Sequence, residues 1–314
     1  MELVPDQQSE IPLQQQKLAE KDLQVVLDGN PGLAGAKIGR ALKVSDRSHV
    51  FELEFRGEIS VAKLFRTDDA PQIVRDAEKN LKELEPSMSS GDCRLNRCLA
   101  AIPDDGLLIV EFVPGSALNE ILPKDDPARR SALLQHAARW LDRFIGQRRE
   151  AAPLRGRYWA KYYLDWPRDH LSPEDAALSY RLHSEILARA DEISGDETVR
   201  GIVHGDFAAR NLHFHDGIMY GVDVQDVRWQ VVARDVARFL VWNEMYDTGH
   251  RGARWCGLSE PDVRSFLSGG LLSETETRVA LPFYIGEQLL QRMLWTMTAR
   301  QRRDMARTAI EHFL

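Results

Sequence analysis

Alternating apolar and polar residues dominate the first third of the chain beyond its opening segment. The stretches FELEF (51–55) and EISVAKLF (58–65) alternate with a period of two and are separated by Arg56-Gly57, which predicts a β-hairpin. The apolar run GLLIVEFVPG (106–115) predicts a further buried strand. Together these segments predict a small antiparallel sheet.

Helical periodicity marks one segment beside this sheet and most of the later chain. Asp69 and Pro71 are typical helix-start residues, and apolar residues at helical spacing follow them as far as Pro86. Further helices are predicted over 128–150, 172–194, 231–247 and 274–313. The pattern therefore indicates an α+β protein with a sheet-rich N-terminal lobe, 31–112, and a larger, mainly helical C-terminal lobe, 113–314.

The first 30 residues carry no recognisable chemistry. They are rich in Gln and predict either a loose tail or a peripheral helix through Leu13, Leu18 and Leu23 that stops before Pro31. They lack the basic start and apolar centre of a signal peptide, and no apolar run in the chain approaches the roughly 20 residues that span a bilayer. We therefore expect a soluble, cytoplasmic protein.

Composition narrows the possible partners. A chain of 314 residues with 43% apolar and 28% charged residues is large enough for two lobes that meet at a cleft. The formal charge of −7 argues against electrostatic binding to nucleic acid or to an anionic membrane. The three cysteines are too few for a disulfide framework, and the spacing of Cys93 and Cys98 lacks the second ligand pair of a zinc site. Composition leaves the oligomeric state open.

A second hairpin in the helical half brings polar residues together. Asp216-Gly217 is a two-residue turn signal, and the flanking stretches NLHFH and IMYGV predict its two strands. Pairing across this turn sets Asn211 opposite Val222, and Asp223 then lies at the same end, where neighbouring strands are about 5 Å apart. Two oxygen-bearing side chains thus meet at the open end of the hairpin.

Such a pair of side chains suits a hard cation. Mg²⁺ prefers oxygen ligands and takes few of them from the protein, since phosphates and water complete its shell. Asp206 lies five residues before Asn211 and can face the same place, where a carboxylate could orient or deprotonate an attacking hydroxyl group. The alternative interpretation is that Asp206, Asn211 and Asp223 are ordinary turn residues on the surface.

The spacing of these residues carries a resemblance to a known family. The stretch HGDFAARN (204–211) resembles the catalytic loop of the protein-kinase superfamily, and its Gly after His is similar to the aminoglycoside phosphotransferase and choline kinase branch. The stretch VDVQD (222–226) is similar to the metal motif of that branch. The resemblance spans about 40–240. It implies a bilobal protein-kinase-like fold that uses ATP and Mg²⁺ to transfer the γ-phosphate to a hydroxyl group of a small molecule.

The resemblance also implies roles for individual residues of the helical lobe. Asp206 would be the catalytic base, and Asn211 and Asp223 the magnesium ligands. The resemblance implies supporting roles for His204, Asp226 and Asp235: His204 and Asp235 would brace the loop, and Asp226 would support the metal site. The alternatives are that His204 is an ordinary core histidine and that Asp235 is an ordinary acid on a helix face. Arg210 would either lie near the substrate or form a surface salt bridge.

Two further residues are candidates for holding the nucleotide phosphates. Lys63 alternates onto the same face as Ile59 and Phe65, and VAKLF resembles the kinase strand whose Lys contacts these phosphates. Glu78 on the following helix is the expected partner of Lys63, because its neighbours one turn away are apolar. The alternative is that Lys63 extends its ammonium group into solvent from the strand end.

The rest of the nucleotide site is less distinct in the sequence. The stretch 43–53 contains no glycine, so Ser45 would contact phosphate through backbone amides, unless the segment is a plain hairpin turn. Glu111 and Val113 match the hinge whose backbone reads the adenine edge, although another edge strand would look similar.

The acceptor is expected to be a small molecule such as an amino sugar, an aminoglycoside or a choline-like metabolite. The chain has no Asp-Phe-Gly, and the link from Asp226 to the next helix is too short for a long activation segment, so a peptide acceptor is disfavoured. The aromatic residues of 158–166 would either stack on the acceptor or pack the core. The remaining alternatives are a pseudokinase or binding scaffold and a protein kinase.

Overall fold

The computed structural model describes residues 11–225, 227–246, 252–296 and 298–314, and the chain divides into two compact units between Pro114 and Gly115. The first unit is built around an antiparallel sheet, and the second is mainly helical. The predicted α+β class is therefore confirmed. No helix among the described residues is both long and apolar enough to cross a membrane.

The first unit is organised by its sheet. Its strands are β1 (Lys37–Val44), β2 (Ser48–Phe55), β3 (Glu58–Phe65), β4 (Cys93–Leu95), β5 (Cys98–Ile102) and β6 (Leu107–Glu111). Five of them pair antiparallel in the order β1-β2-β3-β6-β5. Arg56 and Gly57 join β2 to β3 with φ angles of 53° and 82°, so both have the left-handed conformation that a tight hairpin turn requires. The predicted hairpin is confirmed.

The opening helix belongs to the core of the first unit. Helix α1 (Leu13–Gly29) buries Leu23 and Leu27 in the same apolar cluster as Phe51, Ala62 and Leu64 of the sheet. The sequence predicted a loose tail or a peripheral helix here, and the structure shows the helix, which ends before Pro31 as expected. Its polar residues form the outer side, whereas its narrow apolar stripe covers one face of the sheet.

Helix α2 (Ala70–Met88) is longer than expected. The sequence predicted an end at Pro86, but the helix continues through that residue to Met88. Pro86 lies in the last turn, where a missing N–H costs one intrahelical hydrogen bond. Burial of Leu84 and Met88 in this turn favours the helical conformation.

The second unit contains most of the helices. They are α3 (Leu118–Ile121), α4 (Pro127–Ile145), α5 (Gly156–Tyr162), α6 (Pro173–Glu192), α7 (Val232–Tyr246), α8 (Glu260–Leu267), α9 (Leu281–Leu294) and α10 (Arg300–Phe313). The long helical stretch predicted over 274–313 is divided into a π-helical turn at Glu276–Ala280 followed by α9 and α10. Helix α9 is buried along its whole length and packs against α6, α7 and α10.

Short strands connect these helices. They are β7 (Ser116–Ala117), β8 (Arg149–Pro153), β9 (Glu197–Val203), β10 (Leu212–His215), β11 (Ile218–Gly221), β12 (Arg228–Val231), β13 (Arg254–Trp255) and β14 (Leu258–Ser259). The strands β8, β9 and β12 form an antiparallel sheet in the order β12-β9-β8. The helix predicted to reach 150 instead ends at Ile145, where Gly146 has a φ of 53° and turns the chain into β8.

Candidate active site

The predicted hairpin carries the candidate site in the second unit. Strands β10 and β11 pair with Leu212 opposite Gly221, and Asp216 and Gly217 form the turn with φ angles of 47° and 79°. One step further, the Val222 amide donates to the Asn211 carbonyl at 3.0 Å. The pairing therefore places Asn211 opposite Val222, as the sequence pattern predicted.

His204 joins the loop before this hairpin to the segment after it. Its ring is fully buried, its Nδ1 accepts from the Asp206 amide at 3.3 Å, and its Nε2 donates to the Val222 carbonyl at 3.0 Å. Because an amide can only donate and a carbonyl can only accept, Nδ1 is the acceptor and Nε2 the donor in these two bonds. His204 thus ties Asp206 to the residue that precedes Asp223.

Asp206 is held by two arginines. Arg238 donates from Nε and Nη2 to Asp206 Oδ1 at 3.1 and 2.6 Å, and Arg210 donates from Nη2 to Oδ2 at 2.7 Å. Burial by itself opposes ionisation of this carboxyl, but the positive charges of Arg238 and Arg210 outweigh it and lower the pKa of Asp206 well below its ordinary range. The group is therefore a firmly oriented carboxylate at neutral pH.

The amide of Asn211 is oriented by the same loop. Its Nδ2 donates to the Asp206 carbonyl at 2.8 Å and to Asp206 Oδ2 at 3.3 Å. The nitrogen is used in these bonds, so Oδ1 is the atom of Asn211 that can bind a cation. Asn211 and Asp206 are therefore held together at the entrance of the hairpin.

Asp223 follows the second strand of the hairpin in an uncommon backbone conformation. Its φ is 69°, and its carbonyl accepts from the Gln225 amide at 3.0 Å, which closes a tight turn. A left-handed non-glycine residue is strained, and such strain occurs often at functional sites. Asp226, the second acid of the sequence motif, lies outside the described residues.

Asp235 of α7 contacts the loop that contains Asp206. It is fully buried, its Oδ2 accepts from the Gly205 amide at 3.2 Å, and its Oδ1 accepts from Gln230 Nε2 at 3.3 Å. Burial raises the pKa of this carboxyl, and nearby donors and cations oppose that rise. The bond to Gly205 connects Asp235 to the residue directly before Asp206.

The candidate phosphate-binding residues of the first unit have a different setting from the one expected. Lys63 is half-buried, and Ile59, which shares its face of β3, is 65% exposed. Ala62 and Leu64, on the other face of β3, lie in the apolar cluster that includes α1. Glu78 accepts a hydrogen bond from Lys82 Nζ at 2.6 Å, one turn along α2.

Three other candidates lie in the first unit, one in a turn and two at or just beyond the end of a strand. Ser45 closes the turn between β1 and β2, because its amide donates to the Ser48 carbonyl at 3.0 Å and its Oγ accepts from the Ser48 amide at 3.2 Å. Glu111 ends β6 and accepts from Arg97 Nε at 3.2 Å, and Val113 is buried two residues later. The Ser45 amide is thus engaged within the turn.

Sequence reasoning missed Arg238, which makes two of the hydrogen bonds to Asp206. A usable signal existed, since Arg238 follows Asp235 by three residues on one helix and so shares its face. It also missed that Arg234 of α7 forms an ion pair with Glu287, whose fully buried carboxylate belongs to α9. Partners so distant in sequence leave no local pattern.

The chain matches the model of a known protein family. The model of the APH family, described as the phosphotransferase enzyme family, matches residues 41–267. No curated protein matches the chain at a significant level of sequence similarity.

Three solved structures illustrate the similarity in fold. Aminoglycoside phosphotransferase APH(4)-Ia is 14% identical, with a TM-score of 0.64 over 95% of this chain and 98% of that chain. Amicoumacin kinase hAmiN, solved with AMP-PNP, Ca²⁺ and Ami, is 14% identical, with a TM-score of 0.57 over 95% of each chain. A choline/ethanolamine kinase family protein from Mesorhizobium loti is 12% identical, with a TM-score of 0.60 over 94% of each chain. These similarities confirm the expected protein-kinase-like fold.

Proposed function

The chain belongs to the phosphotransferase enzyme family, and from that premise we propose that it transfers the γ-phosphate of ATP to a hydroxyl group of a small molecule, with Mg²⁺ as its metal. The observation that carries this proposal is the hairpin site, in which Asp206 and Asn211 are hydrogen-bonded and Asp223 follows the strand opposite Asn211. A carboxylate beside two oxygen ligands is the minimal equipment for phosphoryl transfer.

Asp206 acts in this proposal chiefly by orienting the acceptor hydroxyl. Its lowered pKa makes it a weak base, but a phosphoryl transfer with a loose transition state needs positioning more than early proton removal. The hydroxyl donates to one carboxylate oxygen and takes the place of one of the present donors there. The carboxylate then receives the hydroxyl proton as the bond from the hydroxyl oxygen to the γ-phosphorus forms and the bond from that phosphorus to the oxygen of the departing ADP breaks.

The residues at the hairpin fit a magnesium ion. Asn211 can offer Oδ1 as a ligand, since its Nδ2 is hydrogen-bonded to Asp206, and Asp223 can offer a carboxylate oxygen. Both ligand atoms are the hard oxygens that Mg²⁺ prefers. The strained backbone of Asp223 is consistent with a conformation kept for binding. Asn211 and Asp223 would hold the ion, and its charge would offset the negative charge of the nucleotide phosphates. Asp226 is proposed to support this site.

The nucleotide is proposed to use residues of the first unit. Lys63 would neutralise phosphate charge, and Glu78 would hold Lys63 in place. The turn at Ser45 would lie over the phosphates, while the backbone at Glu111 and Val113 would read the adenine edge. These roles follow from the family resemblance, and each is testable by substitution.

A small molecule is the proposed acceptor. Only five residues separate Asp226 from the start of α7 at Val232, which leaves no room for a long peptide-docking segment. A similar structure was solved with hygromycin B, which motivates aminoglycosides as probes, alongside amino sugars and choline-like metabolites. The formal charge of −7 supports a metabolite partner over nucleic acid or a membrane, and a cytoplasmic site of action is proposed with it.

The test is ATP-dependent phosphorylation of a panel of these acceptors, read by mass spectrometry with Mg²⁺ or with a chelator. Asp206→Asn is expected to lose product, whereas the matched control Asp216→Asn, whose side chain is 86% exposed at the hairpin turn, is expected to match the native protein. Product that also forms with Asp206→Asn would refute the assigned role. Nucleotide binding without product on any acceptor would instead favour a pseudokinase or scaffold, and phosphate on bystander protein would favour a protein kinase.

A further inference from the structure

We propose that the buried ion pair between Arg234 of α7 and Glu287 of α9 is a positioning device that holds the backbone of the catalytic loop at Gly205 and Asp206. The inference rests on the proposed phosphoryl transfer at Asp206. It assigns a role in positioning the loop to Arg234 and Glu287, which lie outside both the loop and the proposed metal site. The route runs through Gln230 and Asp235.

The route begins at the Glu287 carboxylate, which has a full set of hydrogen-bond donors. Glu287 is fully buried, and Arg234 donates to its Oε1 from Nη2 at 2.8 Å and to its Oε2 from Nε at 3.1 Å. The Tyr163 hydroxyl also donates to Oε1, and Gln288 Nε2 donates to Oε2 at 2.7 Å. With four donors the carboxylate is satisfied, so its position and that of Arg234 are strongly determined.

The second step fixes the orientation of an amide. Arg234 uses its third nitrogen, Nη1, to donate to Gln230 Oε1 at 2.8 Å. The oxygen of the Gln230 amide therefore faces Arg234, and its nitrogen faces Asp235, to which it donates at 3.3 Å. A reversed amide would set an NH₂ group against a guanidinium, so the cation selects one orientation.

The third step reaches the loop. Asp235 receives the Gln230 donor on Oδ1 and the Gly205 amide on Oδ2 at 3.2 Å, and Gly205 precedes Asp206 directly. The φ of Gly205 is 80°, a left-handed conformation that the hydrogen bond to Asp235 helps to hold. A displacement of Asp235 would thus shift the backbone from which the Asp206 side chain extends.

A buried ion pair by itself adds little to the stability of a folded protein. Removing two charges from water is costly, and apolar side chains of similar size often serve the core equally well. The chain nevertheless places this pair at the end of a hydrogen-bonded route to the catalytic loop, and Trp159 packs its ring 3.8 Å from the Arg234 guanidinium. An apolar pair of side chains could not supply the directional hydrogen bonds that lead to the loop.

The experiment separates positioning from stability. The double variant Arg234→Met with Glu287→Met leaves no unpaired buried charge and retains an apolar core. Its matched control is Arg130→Met with Asp262→Met, because this ion pair of the same unit is equally buried and its Nε to Oδ1 distance is 2.8 Å. Amide hydrogen exchange of a peptide that contains Gly205 and kcat with KM for both substrates are then measured on each full-length protein.

We expect the exchange of the loop peptide to be faster in the Arg234 and Glu287 double variant and unchanged in the control. The value of kcat should fall about ten- to a hundredfold, as expected for a small misplacement of a catalytic group, while KM for the nucleotide stays within about twofold. Native exchange and native kcat in a folded double variant would overturn the inference.

A second variant covers the case in which the double variant fails to fold. Gln230→Met interrupts the route but keeps the ion pair, and it is expected to give the same faster exchange of the loop peptide. Slow, native exchange in Gln230→Met would refute the route. The exchange measurement needs no turnover, so an inactive native protein would count against the proposed function alone, whereas an active protein with unaltered variants would count against this inference alone.

Discussion

Arg238 and Arg210 form a clamp on the Asp206 carboxylate, and this clamp allows a quantitative prediction for Arg238. Arg238→Met removes the two hydrogen bonds to Asp206 Oδ1, at 3.1 and 2.6 Å, and keeps most of the volume of the side chain. The side chains of Arg238 and Asp206 are 14% and 22% exposed, so solvent screens their interaction only in part. The pair should therefore be worth more than a surface salt bridge.

The magnitude follows from the kind of bond that is lost. Hydrogen bonds to charged groups contribute about 1.5–3 kcal/mol, and exposed ion pairs contribute about 0.2–1 kcal/mol. A double-mutant cycle of Arg238→Met and Asp206→Asn should give a coupling free energy of about 1.5–3 kcal/mol at pH 7. The cycle is needed because Arg238→Met alone also removes packing contacts of the side chain.

The pH dependence follows from the lowered pKa of Asp206. A carboxyl whose pKa is lower in the folded than in the unfolded state contributes stability above its unfolded value, for which 3.8 is the reference, and loses it as pH falls through the folded value. Since the folded pKa lies well below 3.8, the coupling should be the same at pH 7 and pH 4.5. In Arg238→Met the effect of burial is less opposed, so the pKa of Asp206 should rise.

The assay is urea unfolding followed by tryptophan fluorescence. All seven tryptophans lie beyond Gly115, so the signal reports the second unit, which contains both residues. A coupling free energy below about 0.5 kcal/mol at pH 7 would show that the pair of Arg238 and Asp206 contributes no more than an exposed ion pair. That result would refute the reasoning. A coupling present at pH 7 but lost at pH 4.5 would show that burial, and not the arginines, dominates the titration of Asp206.

Two further substitutions test packing around the site and in the first unit. Gly221→Ala should lower the free energy of unfolding by about 1–3 kcal/mol or more and impair activity, because a Cβ there would lie 1.9 Å from Trp140 Cζ2; Gly269→Ala, which meets open space in the same unit, is its control in the same unfolding assay. Leu23→Ala should lower the free energy of unfolding, measured by circular dichroism, by about 2–5 kcal/mol, since Leu23 is fully buried in α1. Leu18→Ala, on the exposed side of α1, should change this free energy by less than about 0.5 kcal/mol. Equal costs for the two leucines would contradict the packing of α1 on the sheet.

The sequence by itself determined the elements whose signals are local. Both hairpins follow from two-residue turns, Arg56-Gly57 and Asp216-Gly217, that adopt left-handed conformations between alternating strands. Because the turn sets the register of the two strands, the position of Asp216-Gly217 also placed Asn211 opposite Val222. The spacing of the polar residues around this hairpin was sufficient to indicate the family.

Tertiary structure decided the features that depend on partners far apart in the chain. Alternation showed that β3 has two faces, but only the packing of α1 decided that Ala62 lies in the core and that Ile59 is largely exposed. The clamp of Arg238 on Asp206 joins residues 32 positions apart, and the bond of Arg234 to Glu287 spans 53. Periodicity reports the burial of a face, whereas charge pairing across such separations is fixed only when helices pack, because direct hydrogen bonds act over about 3 Å.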